Sequence, residues 1–229
     1  MNHRELLEAE IKKFDYNNGK IRLTLGVLVV AVLCAFLIVV ATFTELSFVE
    51  NGLPSDAIIH PVKYLKQTGC SLWSFFISYK YIPQIPVIIF ISALLGCQFG
   101  VLAVLIYIVA GLCSVPVFAM GGGWKYIFEY YFGYILAFMP AVFISGNILS
   151  NKLSLKNALK ASFFGVLLIH FIGIMYTAIV IIFKRDGFNF FMDMIAIQSG
   201  IKIIYDLVFS VVAVILARPV KRILWLAMS

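Results

Sequence analysis

Apolar residues along this chain come in long runs separated by short polar gaps. Six runs approach the roughly 20 residues that a membrane-spanning helix needs. They are Ile21 to Phe43, Tyr81 to Cys97, Phe99 to Phe118, Tyr126 to Leu149, Ala161 to Phe183 and Met194 to Ala217. The second and third meet at Gly96-Cys97-Gln98-Phe99-Gly100, which predicts a tight turn between antiparallel helices. Cys70 to Tyr79 is too short to span; it reads as a re-entrant or interfacial piece, with Trp73 suited to the headgroup region. The expected fold is all-α: a polytopic bundle of six transmembrane helices. Residues 1–20 form a polar, charged segment, and residues 21–229 a single domain. The apolar run after residue 20 exceeds a signal-peptide core and is read as a retained first span.

Composition agrees with this pattern. Hydrophobic residues make up 62% of the 229 residues and charged residues 13%, against about half and about a quarter in a soluble domain. The net charge of +7 is carried between the apolar runs, which suits anionic headgroups better than nucleic acid. With six spans both termini share a side. That side holds Arg4, Lys12, Lys13, Lys20, Arg22, Lys152, Lys156, Lys160, Arg218, Lys221 and Arg222. The other holds Lys63, Lys66, Lys80, Lys125, Lys184 and Arg185. The larger basic set predicts cytoplasmic termini and a multi-pass protein of the plasma (inner) membrane. Cys34, Cys70, Cys97 and Cys113 lack metal-ligand spacing and read as small buried hydrophobes.

One acid, Asp206, falls inside the last apolar run, with Lys202 one helical turn before it. An ionised group in a bilayer costs at least a few kcal/mol, so such residues usually face a cavity, a partner or a substrate. At spacing i, i+4 the two can meet on one face. They are either a neutralising structural pair or fixed charges that await a ligand, and the second reading is favoured. Glu129 is also expected near the outer side. His170, in the fifth run, is expected to make a hydrogen-bonded helix–helix contact. His60 is expected to be a solvated loop histidine. It lies in a long connection, residues 44–80, which is either a lid or partner surface or a linker. After the third run, Pro116-Val117-Phe118-Ala119 leads into Gly121, Gly122 and Gly123. Irregular backbone there needs shielding, and its N–H groups could hold a polar ligand; an ordinary interhelical turn is the alternative. Ala31 and Ala35 lie four apart on one face, a weak motif for close helix approach.

The stretch from Gln84 to Phe138 resembles the BioY proteins, the biotin-binding S components of energy-coupling-factor (ECF) vitamin transporters. The shared residues include Gln84, Leu94-Leu95-Gly96, Gly100, Ile106-Tyr107, Gly111, the Pro116 to Ala119 segment, Gly121 to Gly123, Gly133-Tyr134 and Phe138. The resemblance resumes at Asp206-Leu207 and the basic end Arg218 to Arg222. It implies a six-helix protein that takes biotin from outside into a pocket closed by the loops after the first and third spans. It also implies docking on a transmembrane T component coupled to two ATPases, through an Ala-x-x-x-Ala motif that Ala31 and Ala35 match. On this reading Asp206 accepts from ureido N–H groups or orders Lys202, and Lys202 neutralises the ligand carboxylate. Gln84 and the Gly121–Gly123 backbone meet the remaining polar atoms, and Tyr107, Phe118 and Tyr134 pack on the rings. Three departures stand out, one being that the connection 44–80, an insertion after the first span, exceeds the usual family length. The lysine usual three residues after the aspartate is Phe209 here, with Lys202 on nearly the same face. The family's Pro-Thr-Gly-Gly before the fourth-span tyrosine is Tyr130-Tyr131-Phe132-Gly133. No cofactor or catalytic role is implied. The chain has no phosphate-binding glycine–lysine loop, so ATP hydrolysis would belong to a partner.

Overall fold

The computed structural model describes residues 24–47, 49, 52–150 and 154–228. The segment 1–20, the start of the first predicted span and Lys152 lie outside the described residues. So do Arg4, Lys12, Lys13, Lys20 and Arg22, on which part of the orientation argument rests.

Among the described residues the regular structure is helical, apart from two isolated bridges, Leu46 to Tyr81 and Phe118 to Gly121. Helix α1 (Leu25–Phe43) starts at Thr24, whose hydroxyl accepts from the Val27 N–H, satisfying one of the donors that a helix start leaves free. Val27, Ala31, Cys34, Ala35, Ile38 and Thr42 form its buried face, at the three-and-four spacing of one helix side. Three short helices follow: α2 (Ser55–Ile59), α3 (Pro61–Thr68) and α4 (Leu72–Ile77). Much of the connection from residue 55 to 77 is therefore helical. Phe75 is buried, and the Phe76 carbonyl accepts from the Tyr205 hydroxyl at 2.6 Å.

Helix α5 (Gln84–Leu112) is two arms joined at Gly96, where φ is 75° and ψ −170°. A straight helix would separate Gln84 from Tyr107 by about 34 Å, yet their side chains hydrogen-bond at 3.1 Å. A Cβ on Gly100 would sit 3.7 Å from the Ile91 carbonyl oxygen. The arms therefore run antiparallel, as the glycine pattern predicts, and only glycine adopts this φ without strain. Helix α6 (Phe132–Ser150) crosses the bend, with Gly146 against the Cys97 backbone. Helix α7 (Leu155–Lys184) lies antiparallel to α6: Gly133 meets Tyr176, Gly173 meets the ring of Tyr134, and Gly165 meets Ser145. Small residues let these backbones approach closely. Helix α8 (Phe188–Ser199) ends at Gly200, and α9 (Lys202–Met228) begins after it.

Among the described residues five stretches are long and apolar enough to cross a membrane, counting both arms of α5 as one and α8 with α9 as one. Several expected boundaries are corrected. The third run leaves the helix at Leu112, six residues before Phe118. The fourth starts at Phe132, because Trp124–Phe128 is a 3-10 turn. The run Met194 to Ala217 is two helices, because the backbone turns at Gly200, where ψ is −112°. Of the cysteines, all free, Cys34 is buried but Cys113 is exposed at a helix end.

Candidate functional site

The break at Gly200 moves Asp206 from the depth of a long span to the first turns of α9. There it is wholly buried at 0% exposure. Its Oδ2 accepts from Lys202 Nζ at 2.8 Å and faces His170 Nε2 at 3.1 Å. Its Oδ1 accepts from the Tyr81 hydroxyl at 2.7 Å. Lys202 retains 14% exposure, so the cation sits at the edge of the site and the anion inside it. The network runs on from His170 Nδ1 to Ser199 Oγ at 2.8 Å, and from Ser199 to the Tyr134 hydroxyl at 2.7 Å. Residues from α6, α7, α8, α9 and the entrance of α5 thus meet around one carboxylate. A buried carboxylate persists as an anion only when it is paired and hydrogen-bonded.

An aromatic wall closes one side. Tyr81 stacks on Tyr205 (5.4 Å between centroids) and on Phe209 (5.2 Å), and Tyr205 stacks on Tyr79 (4.9 Å). Phe209, where the resemblance leads one to expect a lysine, is part of this wall. Lys202 Nζ lies 5.7 Å from the Tyr81 ring centre, within range of a cation–π attraction.

A second polar cluster begins three residues beyond Tyr81. Gln84 Nε2 donates to Thr42 Oγ1 at 2.8 Å and to the Tyr107 hydroxyl at 3.1 Å. Tyr107 donates to the Val117 carbonyl at 3.4 Å, fastening the loop after α5 to the helix. Phe118 is buried and packs edge-on to Tyr107, with Tyr126 beside it. The loops before and after α5 therefore both reach the end of the bundle that holds Asp206 and Gln84.

Gly121 and Gly123 have φ of 108° and 105°, and Gly122 leaves no room for a side chain: a Cβ there would sit 2.3 Å from the Val115 carbonyl oxygen. The Gly121 N–H donates to the Phe118 carbonyl and the Gly123 N–H to the Gly111 carbonyl. Those two donors are satisfied by the chain itself, at Phe118 in the same loop and at Gly111 in α5. Ala31 and Ala35, expected as a docking motif, face inward. At 0% and 5% exposure they belong to the main core with both arms of α5, whereas Val29, Leu33 and Phe36 face outward on the same helix. Glu129 takes no part in the Asp206 network. His60 is exposed between α2 and α3, as expected. An open groove of about 660 Å³ lies on the insertion, lined by His60, Pro61, Val62, Lys63, Lys66 and Gln67; it includes no residue of either polar cluster. At the rim, Tyr130 donates to Asp186 at 2.7 Å; this hydrogen bond to a carboxylate pushes the phenol up to about 12.

Tyr81, Thr42 and Ser199 were not among the expected site residues. Only His170 carried a signal, as the sole histidine inside an apolar run that also needed a partner.

Several helices long and apolar enough to cross a membrane, with a buried, charge-bearing polar network at one end of the bundle, define the class: a multi-pass helical membrane protein. The BioY family model matches residues 71–225, and the chain belongs to that family. A probable biotin transporter BioY of Pyrococcus horikoshii is 34% identical over 141 residues, covering 60% of this chain and 78% of that protein. One from Lysinibacillus sphaericus is 32% identical over 95 residues, covering 41% of this chain and 48% of that protein. The crystal structure of the S component for biotin from an ECF-type ABC transporter superposes with a TM-score of 0.60 at 17% identity, over 87% of this chain and 95% of that one. At that identity the likeness establishes the fold.

Proposed function

We propose that this chain is the biotin-binding S component of an ECF-type transporter. It captures biotin from the outer side and passes it inward with a transmembrane T component and ATPase subunits. The reading includes six crossings, with the arms of α5 counted separately and α9 as the last, and both termini cytoplasmic in the plasma membrane. Family membership supports the class of ligand. The observation that carries the reading is the buried Asp206, held beside a partly exposed Lys202 under two loops.

Biotin presents two ureido N–H groups, a carbonyl, a thioether ring and a valerate carboxylate. A carboxylate offers about four acceptor positions, and protein donors occupy three on Asp206. The fourth suits one ureido N–H. An ammonium has three donors; Lys202 gives one to Asp206 and keeps the others for the valerate carboxylate. Such charge-assisted bonds are roughly twice as strong as neutral ones. Gln84 spends both N–H donors on Thr42 and Tyr107, so its part is to orient Tyr107 at the wall of the site. Tyr81, Tyr205 and Phe209 supply a flat apolar wall for the rings, and Phe118 with Tyr107 closes the far side. Few placed polar groups in an apolar setting are what a ligand of this size needs. Because Ala31 and Ala35 face the core, docking of the T component is assigned to the outward face of α1 around Val29, Leu33 and Phe36.

The test is thermal stability of detergent-purified protein against biotin, desthiobiotin, lipoate and other vitamins. At about 1,000 times its Kd a true ligand adds about 4 kcal/mol. Stabilisation by biotin supports the proposal. Stabilisation by a different vitamin alone assigns the fold another cargo, and insensitivity to all of them refutes ligand capture.

A further inference from the structure

His170 is joined to Asp206 on one side and to Ser199 and Tyr134 on the other, and this chain has a hydrogen-bonding direction that can be worked out. Asp206 lies 2.8 Å from the ammonium of Lys202 and also takes the Tyr81 hydroxyl, so it is an ionised acceptor. His170 Nε2, 3.1 Å away, must donate to it. A neutral imidazole has one donor and one acceptor, so Nδ1 accepts from Ser199 Oγ at 2.8 Å. Ser199 has one proton and has now given it. It therefore accepts from the Tyr134 hydroxyl at 2.7 Å. Tyr134 has given its own proton inward, and only lone pairs remain for anything that approaches its oxygen.

Adding one proton to His170 reverses the chain. Nδ1–H then donates to Ser199. Among the described residues Ser199 Oγ has hydrogen bonds only with His170 and Tyr134, so its proton turns to Tyr134. The Tyr134 hydroxyl proton is released to point toward the ligand. The titratable groups facing His170 are Asp206 and Lys202 from α9, Tyr81 from the entrance of α5 and Tyr134 from α6; α8 contributes Ser199.

We infer that His170 is a specificity-determining positioning residue: by holding Tyr134 as an acceptor it selects a ligand that presents an N–H there, and its protonation turns Tyr134 into a donor and expels that ligand. The ligand half of this inference rests on the proposed biotin reading; the direction of the chain does not. The proton needs no co-reactant beyond solvent, because only hydrogen-bond sense changes along the chain.

Two measurements test it. The first is biotin affinity of the purified protein from pH 5.5 to 8, native and His170→Gln. Glutamine can donate to Asp206 and accept from Ser199 but does not titrate. Native affinity should fall toward pH 5.5, by at most about tenfold from its value at pH 7.5, the ceiling for one linked proton on a histidine. His170→Gln should give a flat profile, whatever its affinity at neutral pH. An equal slope in both proteins overturns the inference. The second uses the native protein without biotin: 15N-histidine NMR, with His170 assigned by comparison with His170→Gln. The Nε2-protonated tautomer at pH 8 is expected, and the Nδ1-protonated tautomer overturns the inference. If the tautomer is as expected but biotin does not bind, the ligand reading fails and the hydrogen-bond relay stands.

Discussion

Asparagine at position 206 keeps the shape of the side chain and removes the charge that answers Lys202. In the native protein three donors converge on this carboxylate at 2.7, 2.8 and 3.1 Å. Asp206→Asn leaves an ammonium 14% exposed without its counter-ion and gives one of the donors an N–H where an oxygen stood. Removing one partner of a buried pair costs about 3–5 kcal/mol. For a protein of this length each kcal/mol moves Tm by about 2–4 °C, so a fall of roughly 6–20 °C in detergent is expected. Lys202→Met should cost less, about 1–3 kcal/mol, because Tyr81 and His170 still serve the carboxylate. The double variant is the sharper measurement. If the two charges sustain each other, its loss should fall short of the sum of the singles by about 1 kcal/mol or more. Losses that add within about 0.3 kcal/mol, or an Asp206→Asn Tm within about 2 °C of native, would refute the claim that this pair is energetically coupled in the site.

Three further outcomes follow from the packing. Ala35→Leu should lower stability by about 1–3 kcal/mol per overpacked site, measured as Tm, whereas Leu33→Ala on the outward face should leave Tm nearly unchanged and reduce uptake in cells if that face docks a partner. Gly122→Ala should destabilise the loop, since its Cβ would meet the Val115 carbonyl at 2.3 Å; a drop in Tm is expected, and an unchanged Tm contradicts the close packing. Arg218→Met should raise Tm, because Nε and Nη2 of Arg218 are buried without an acceptor among the described residues, and each unsatisfied donor costs about 1–3 kcal/mol.

What could be read from the sequence divides along the range of the interactions. The i, i+4 pair of Lys202 and Asp206 was legible because helical spacing alone brings it together. The turn at Gly96 was legible because two glycines interrupt an apolar run. The remaining partners of Asp206 were not. Tyr81 is 125 residues away and His170 36 residues away, and only the packed bundle brings them to one oxygen pair. Hydropathy joined Met194–Ser199 to α9 because both sides of Gly200 are apolar, and a scale that counts residue type does not register a change of ψ. Ala31 and Ala35 show a related limit: small residues on one face announce close packing without naming the neighbour, which here is α5 of the same chain. The short helices Ser55–Ile59 and Pro61–Thr68 leave no such signal, because each is shorter than the periodicity needed to recognise it.

The most direct test of the account is calorimetric titration of biotin into purified native protein and Asp206→Asn at neutral pH. The account predicts tight binding by the native protein and a Kd at least about 100-fold weaker in the variant, equivalent to about 2.7 kcal/mol. Equal affinities in two folded proteins would contradict it, because the buried carboxylate would then have no part in holding the ligand.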